Sequence, residues 1–461
     1  MLDDQHLDDV PEDGDYELDN LTFGPVRQAI AADDAEALHA LLEPLHAADI
    51  ADLVEQLPKE ERDGFVRLYG TEFDGEVLSE LEEGLREEVV QAMAPDVLAE
   101  AVRELETDDV VDLIEDLDDP QAEAVLDALD DDDRVVVEQS LSYPEESAGR
   151  LMQRELVVAP DHWNVGQTID FLRAQDDLPE QFYHVILVDP RMRPTGYVTL
   201  GRLMGSAREV PMTDITEDSF RKIPVMQDEG EVAYAFNQYH LISAPVVDAD
   251  ERLVGVITID DAMAILDEEH EEDILRLAGV AEESSLSDKI VDTTKRRFPW
   301  LAVNLVTSIL ASLVIAQFDE VIAQFVALAV LMPIVASMGG NAGTQSLTVA
   351  VRAIATKDLT SANLWRVIRR EAAVGLVNGI IFAVVMGIVG VIWFGTPLLG
   401  VVIGVAMVVN LVIAGLAGVI IPVVLDRMDI DPALASGAFV TTVTDVVGFF
   451  AFLGLAAVML I

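Results

Sequence analysis

Residues 441–461 read TTVTDVVGFFAFLGLAAVMLI. At 1.5 Å per residue, a helix of this length crosses the hydrocarbon core of a bilayer. The stretch contains one acidic side chain, that of Asp445, and no basic residue that could neutralise it. Because a charge at membrane depth costs about 2.5 to 3.5 kcal/mol on insertion scales, an acid in this position marks a functional site. The stretch therefore predicts a membrane-spanning helix whose carboxylate meets a cation.

Four further apolar stretches precede this one, and each is long enough to span the hydrocarbon as a helix. The five predicted spans are 300–318, 321–354, 372–394, 398–425 and 433–460. Residues 298–461 are therefore expected to form an all-α transmembrane domain of five helices.

Basic residues around the spans indicate the orientation of this domain. They lie before the first span, between the second and third, and between the fourth and fifth, whereas the other two connections have none. Because basic loops stay in the cytoplasm, the N-terminus is expected in the cytoplasm and the C-terminus outside the plasma membrane. The bases are Lys295, Arg296, Arg297, Arg352, Lys357, Arg366, Arg369, Arg370 and Arg427.

Nearly all of the net charge of −56 lies before residue 300. Such a field repels nucleic acid and attracts cations. An Asp-rich, Lys-poor surface is also typical of halophilic proteins, such as those of haloarchaea, so most of these acids are expected to be solvated. The chain has no cysteine, which excludes disulfides and thiolate metal sites. Residues 1–24 are expected to be an acidic tail, because they lack the basic start and apolar core of a secretory signal.

The soluble part shows two different patterns. Residues 25–140 contain short segments with apolar residues at three- and four-residue steps, such as PDVLAEAVREL, which predict an α-helical array that serves as a scaffold. Between residues 141 and 262, β-branched runs alternate with helical segments: HVILVDP and PTGYVTL are followed 59 residues later by SAPVVDAD and RLVGVITI. This α/β repeat resembles a tandem pair of CBS domains, at 141–211 and 212–262, which sense nucleotides or other small ligands.

The resemblance to CBS domains implies a nucleotide site in the second copy. In that family a threonine and an aspartate three residues later hold the ribose, and the second copy has Thr258 and Asp261. The first copy has Thr199, but Arg202 stands where the acid would be. ATP is therefore an expected ligand of the second copy, and an α/β pair that binds nothing is the alternative.

The second predicted span is interrupted by MPIVASMGGNAGTQS, residues 332–346. Its proline removes a helical hydrogen-bond donor, and its glycines allow either close helix packing or local unwinding. Its polar side chains are expected to face protein or a water-filled path, because exposure to lipid would be costly. The residues that distinguish this motif are Pro333, Gly339, Gly340, Asn341, Gly343, Thr344 and Gln345.

Three motifs, YPEESAGRLM, GGNAGTQS and TTVTDVVG, occur in this order along the chain. With them the chain resembles the MgtE family of magnesium channels over nearly its whole length. The resemblance implies a homodimer that imports Mg²⁺ through a pore between two five-helix bundles, with Asp445 at the axis and Asn341 along the path. Mg²⁺ dehydrates reluctantly, so paired carboxylates would hold its waters. Thr441, one turn before Asp445, and Thr444 would add hydroxyls.

Residues 263–297 are expected to form a connecting helix rich in acids. Alone, such a run is typical of a solvated helix face. The resemblance implies instead a plug that closes the cytoplasmic mouth of the pore and takes part in a Mg²⁺ sensor. Because crowded carboxylates repel unless a cation lies between them, high cytosolic Mg²⁺ is expected to hold the gate shut. The implied sensor residues are Asp108, Asp112, Asp261, Glu269, Glu272, Asp273 and Asp431.

Two other classes of protein remain as alternatives. A secondary transporter coupled to Na⁺ or H⁺ is compatible with an interrupted second span. An enzyme or receptor anchored by the spans is disfavoured, because the soluble part shows no nucleophile with a base and no phosphate-binding loop. The chain is therefore expected not to be an enzyme.

Overall fold

The computed structural model describes residues 20–175, 178–179, 182–218, 220–280, 290–428 and 430–460. The chain divides into two compact units, Met1–Glu268 and Glu269–Ile461. Most of the predicted acidic tail, and residues 281–289 of the predicted connecting segment, lie outside the described residues.

The first part of unit one is a helical array, as the sequence predicts. Its helices are short and amphipathic; in α7, for example, Val97, Leu98 and Ala101 are buried on one face while Asp96 and Glu100 point outward. The buried faces share one core that includes Leu53, Phe65 and Leu113. The helices are α1 Asn20–Ala32, α2 Ala35–Leu42, α3 Ala47–Gln56, α4 Lys59–Tyr69, α5 Glu76–Glu80, α6 Glu83–Ala92, α7 Pro95–Glu104, α8 Thr107–Glu115, α9 Asp119–Ala128 and α10 Asp131–Ser140.

The α/β repeat follows, with one three-stranded sheet per copy. In each sheet the central strand pairs in parallel with the first strand and antiparallel with the third. The registers correspond: His184 lies opposite Thr199 in the first copy, and Ser243 lies opposite Thr258 in the second. The elements are β1 Val158–Pro160, α11 Val165–Leu172, β2 His184–Val188, β3 Pro194–Thr199, α12 Leu200–Gly205, β4 Ile223–Pro224, α13 Glu229–Tyr239, β5 Ser243–Val247 and β6 Leu253–Thr258.

The remaining helices are mostly long and apolar. Five of them, among the described residues, are long and apolar enough to cross a membrane, as the sequence predicts. The predicted second span differs in its start: residues 319–324 form a separate short helix, and Phe325 leaves the helical conformation, with φ −128° and ψ 79°. The helices are α14 Ile259–Leu277, α15 Ile290–Ala316, α16 Asp319–Gln324, α17 Ala327–Ala355, α18 Leu364–Phe394, α19 Pro397–Asp426 and α20 Pro432–Met459.

Helix α19 lies at the centre of unit two, where it packs against α17, α18 and α20. Glycines bring the backbones together: a Cβ on Gly375 would lie 2.5 Å from the Leu411 carbonyl oxygen, and one on Gly418 would lie 2.7 Å from that of Gly343. In lipid, helices associate through such packing and not through the hydrophobic effect. The multidomain class expected from the sequence is confirmed: a helical array, a pair of α/β repeats and five apolar helices.

Candidate functional site

Helix α17 has two contrasting faces at the interrupted motif. Val335, Gly339 and Gly343 are buried against neighbouring helices. On another face, polar side chains at steps of three, four and seven residues are exposed, namely those of Asn341, Thr344, Gln345 and Thr348. The helix itself continues through Pro333 to Ala355. The glycines therefore serve close packing, which leaves a polar stripe at membrane depth that lipid would not cover favourably.

Asp445 lies on α20, a helix that offers it no basic partner. Its side chain is half-buried, and α20 contains no Lys, Arg or His. Thr441, one turn earlier, is exposed and donates its hydroxyl to the Gly437 carbonyl at 2.9 Å. Thr441 and Asp445 thus share one face of the helix, and the threonine oxygen can still accept a hydrogen bond there.

Thr444 occupies a different face of α20 from Asp445. It is fully buried, and its hydroxyl donates to the Thr441 carbonyl at 3.0 Å. A Cβ on Gly343 would lie 2.6 Å from Val440 and 3.5 Å from the methyl carbon of Thr444. Thr444 therefore takes part in the packing of α20 on α17, which brings the helices of Asn341 and Asp445 together.

One polar residue of this region, Asn410, is absent from the predicted site residues. Asn410 of α19 is fully buried, and its Nδ2 donates to the Val335 carbonyl of α17 at 2.8 Å. A single amide within the apolar run GVAMVVNLVIAGLAG was the available clue.

A cluster of acids in unit one joins α8 to the start of α14. We call it the α8–α14 acidic cluster; it comprises Glu106, Asp108, Asp109, Glu155, Asp260 and Asp261. Asp108 is only 6% exposed. The Thr258 hydroxyl donates to Asp261 at 2.7 Å, and the Thr107 hydroxyl donates to Glu155 at 2.6 Å. The six acids come from three segments that are far apart in sequence, at 106–109, 155 and 260–261, so only the fold brings them together.

Burial and mutual repulsion shift the protonation of this cluster. Burial, followed by the charge of Asp261, raises the pKa of Asp108 well above its usual range and that of Asp109 to about 7. Burial, followed by the charge of Glu155, raises the pKa of Glu106 to about 7. Burial also raises the pKa of Asp261 to about 6. The cluster therefore favours a proton or a cation near neutral pH.

The two acids of α8 singled out from the sequence have different surroundings. Asp108 belongs to the α8–α14 acidic cluster, whereas Asp112 forms an ion pair with Arg86 at 2.6 Å. Arg86 also pairs with Asp116 at 2.7 Å. Asp109, which the sequence analysis did not single out, lies in the cluster instead.

In unit two, the end of α14 meets the start of α20. Arg276 pairs with Glu272 at 2.8 Å and with Asp431 at 3.3 Å. Asp431 also caps α20 by accepting a hydrogen bond from the Ala433 amide at 2.7 Å. Burial, followed by the charge of Asp431, raises the pKa of Asp273. The structure thus brings together three predicted sensor acids and a guanidinium.

Glu269 lies on an exposed stretch of α14, one turn before Asp273. Throughout the described ranges, no group of three or more His, Asp or Glu side chains has the arrangement of a ready-made metal site. Burial and charge, and not a ready-made ligand geometry, therefore identify these acids as candidate cation ligands.

A cleft lies between the two copies of the α/β repeat. Its walls include Tyr183, His184 and Thr258. His184 Nδ1 lies 2.5 Å from the Ser243 hydroxyl, across the two central strands. In the first copy, Arg202 stands at the position that corresponds to Asp261. It forms an ion pair with Glu217 at 3.2 Å.

Comparison with known proteins covers all of these regions. Family models match at residues 332–455 (MgtE, divalent cation transporter), 45–146 (MgtE intracellular N domain) and 213–268 (CBS domain). The magnesium transporter MgtE of Thermus thermophilus is 33% identical over 94% of this chain and 98% of its own length. That of Bacillus subtilis is 30% identical over 69% of this chain and 71% of its own length.

Among solved structures, the cytosolic domain of the Mg²⁺ channel MgtE in complex with ATP is similar to this chain. It is 29% identical, with a TM-score of 0.49, over 53% of this chain and 99% of that structure.

Proposed function

The chain belongs to the MgtE family of magnesium transporters, and from this premise we propose that it is a Mg²⁺-selective channel gated by cytosolic Mg²⁺. The observation that carries the proposal is Asp445, a carboxylate on an apolar helix without a basic residue. A fixed negative charge at membrane depth stabilises a cation that would otherwise be costly to bring there.

The exposed polar stripe of α17 supports a homodimeric pore. Asn341 and Gln345 present amides at membrane depth, and a second copy or a water-filled path would satisfy them. Two copies related by a two-fold axis would bring a pair of Asp445 carboxylates to the pore. Carboxylates, amide oxygens and the Thr441 hydroxyl oxygen can all accept hydrogen bonds from the waters of hydrated Mg²⁺.

The α8–α14 acidic cluster supports regulation by cytosolic Mg²⁺. Its carboxylates fit the cation, since Mg²⁺ prefers oxygen ligands and is usually held by one or two carboxylates. Binding between Asp108 and Asp261 would relieve their repulsion and favour the compact arrangement of α8 on the α/β repeat. The acids at the end of α14 and Asp431 would contribute in the same way within unit two. Mg²⁺ would then act as both substrate and inhibitor.

ATP is the proposed ligand of the cleft between the α/β copies. Thr258 and Asp261 occupy the positions that hold the ribose in CBS domains, and Tyr183, which is exposed at the cleft, can stack on a base. We also propose a plasma-membrane location with a cytoplasmic N-terminus, on the distribution of basic residues around the spans.

Flux measurements on the whole chain in liposomes test the pore. Asp445→Asn preserves shape but removes the charge, so Mg²⁺ current is expected to disappear. Asp319→Asn, which changes an exposed acid between α15 and α17, is the matched control and should conduct like the native chain. Currents that reverse at the Mg²⁺ equilibrium potential would support a channel. A requirement for Na⁺ or H⁺ would show a coupled transporter instead.

A further inference from the structure

Asn410 is a buried amide in the most tightly packed helix of unit two. Its side chain is fully buried, and its Nδ2 donates to the Val335 carbonyl of α17. Its Oδ1 has no hydrogen-bond partner among the described residues. A buried acceptor without a partner destabilises a protein, and an apolar side chain of similar size would avoid that cost. Stability alone therefore does not account for an amide here.

Two glycines enclose this amide from two different helices. A Cβ on Gly339 of α17 would overlap the amide nitrogen of Asn410, and a Cβ on Gly448 of α20 would lie 2.8 Å from it. Gly339 is two residues before Asn341, and Gly448 is three residues after Asp445. One side chain of α19 thus contacts both helices that carry the proposed pore residues, within one helical turn of each.

The contact with α17 is directional. A hydrogen bond to the Val335 carbonyl fixes both the distance and the rotation of α17, because the N–H must point at the carbonyl oxygen. Apolar packing alone would hold the helix at a similar distance with less control over its rotation. Since Asn341 lies on the face of α17 away from Asn410, a change in rotation would move it relative to Asp445.

We propose that Asn410 is a positioning residue for the ion path: it sets the placement of α17 against α20 and thereby the selectivity among divalent cations. This inference rests on the proposed function, because it assigns Asn410 a part in the same pore. The residue contacts neither ion nor water in this role and acts through the placement of Asn341 and Asp445.

The ratio of Mg²⁺ to Ca²⁺ flux in liposomes tests the proposal, because a loss of folded protein lowers both fluxes and leaves their ratio unchanged. Asn410→Leu keeps the volume and removes the hydrogen bond. We expect the ratio to fall by about threefold to tenfold, the range that one hydrogen bond of ordinary strength supports. Asn378→Leu changes an exposed asparagine of α18 and is the matched control, with an expected change below about twofold.

Asn410→Asp provides a second readout that also serves if the leucine variant does not fold. The protonated acid can donate to the Val335 carbonyl, whereas the carboxylate cannot. Relative to the native chain at each pH, the flux ratio of this variant should approach the native value at low pH and depart from it as pH rises.

An unchanged flux ratio in Asn410→Leu, with or without reduced total flux, would overturn the proposal. So would a native ratio in Asn410→Asp at a pH high enough to ionise the buried acid. Failure of the proposed function is distinguishable, because it appears as Mg²⁺ flux that survives Asp445→Asn in an otherwise native chain.

Discussion

The two copies of the α/β repeat share their topology and strand register, but they carry opposite charges at the equivalent positions Arg202 and Asp261. In the first copy Arg202 pairs with Glu217 on the surface. In the second copy Asp261 is placed beside Asp108, with more acids around the two. The first copy is therefore neutralised by its own side chains, whereas the second needs a proton or an added cation. The comparison shows that one fold can carry an internally neutralised ion pair in one copy and a group of uncompensated carboxylates in the other.

Removal of the Asp261 charge from the second copy should have the largest effect, and it should act on Mg²⁺ binding. Asp261→Asn keeps an acceptor for the Thr258 hydroxyl but removes one ligand charge. We expect the Mg²⁺ concentration that gives half-maximal protease protection of residues 100–280 to rise by about tenfold, which corresponds to about 1.4 kcal/mol of binding free energy. Asp267→Asn, an exposed acid further along α14, is the control and should leave the midpoint unchanged. Equal midpoints for both variants would contradict the sensor assignment.

Two acids one turn apart on α8 should respond in opposite directions. In Mg²⁺-free buffer, Asp108→Asn should raise the unfolding temperature of the chain, because the amide needs neither the proton nor the cation that the buried Asp108 carboxyl requires. Asp112→Asn should lower it, because Asp112 pairs with the buried Arg86. Thermal unfolding with EDTA measures both, and shifts of about 2 °C are expected for about 1 kcal/mol in a unit of this size. A lower unfolding temperature for Asp108→Asn would show that its charge is already compensated.

The pH dependence that the α8–α14 acidic cluster gives to stability is expected to be of intermediate size. The pKa values of Glu106 and Asp109 are raised to about 7 in the folded chain, above their usual values. Folding therefore takes up protons, and this contribution to stability is lost as pH rises through about 7. Without Mg²⁺, the unfolding temperature should fall between pH 6 and pH 8. Saturating Mg²⁺ should reduce the slope of unfolding temperature against pH. An equal slope with Mg²⁺ would show that the ion does not bind these carboxylates.

Nucleotide binding should show the smallest effect, and it tests the second role proposed for this copy. Thr258→Val removes a hydroxyl at the proposed ribose position and should weaken ATP binding by about threefold to tenfold, as expected for one hydrogen bond. Thr199→Val is the equivalent change in the first copy and should leave the affinity unchanged. Isothermal titration of the whole chain measures both. Equal losses in the two variants would indicate that the copies contribute alike.

The sequence predicted the fold because the relevant signals are local. Apolar spacing defines helices such as α7, and five long apolar runs define the membrane helices. The break at Phe325 was missed because an apolar residue there gives no local signal for the end of a helix.

The candidate site was predicted only in part, because it depends on contacts between distant segments. The spacing of Asp108 and Asp112 places them on one side of α8, but it does not reveal that Arg86, from another helix, neutralises Asp112. The same limit applies to Arg276, whose pairing with Asp431 spans a long stretch of chain. Burial of Asn410 depends on glycines in α17 and α20 that the periodicity of α19 does not record.

The glycine contacts of α19 also constrain which substitutions this chain can accept during evolution. A methyl group is the smallest side chain that mutation can add, and at Gly375 or Gly418 it would meet another helix's backbone at 2.5 or 2.7 Å. No rotamer change relieves such an overlap, since the obstructing atoms belong to the main chain. Substitution at these glycines therefore requires two helices to separate together. The membrane half is expected to evolve by coordinated replacement, while the surfaces of the acidic half can accumulate single substitutions.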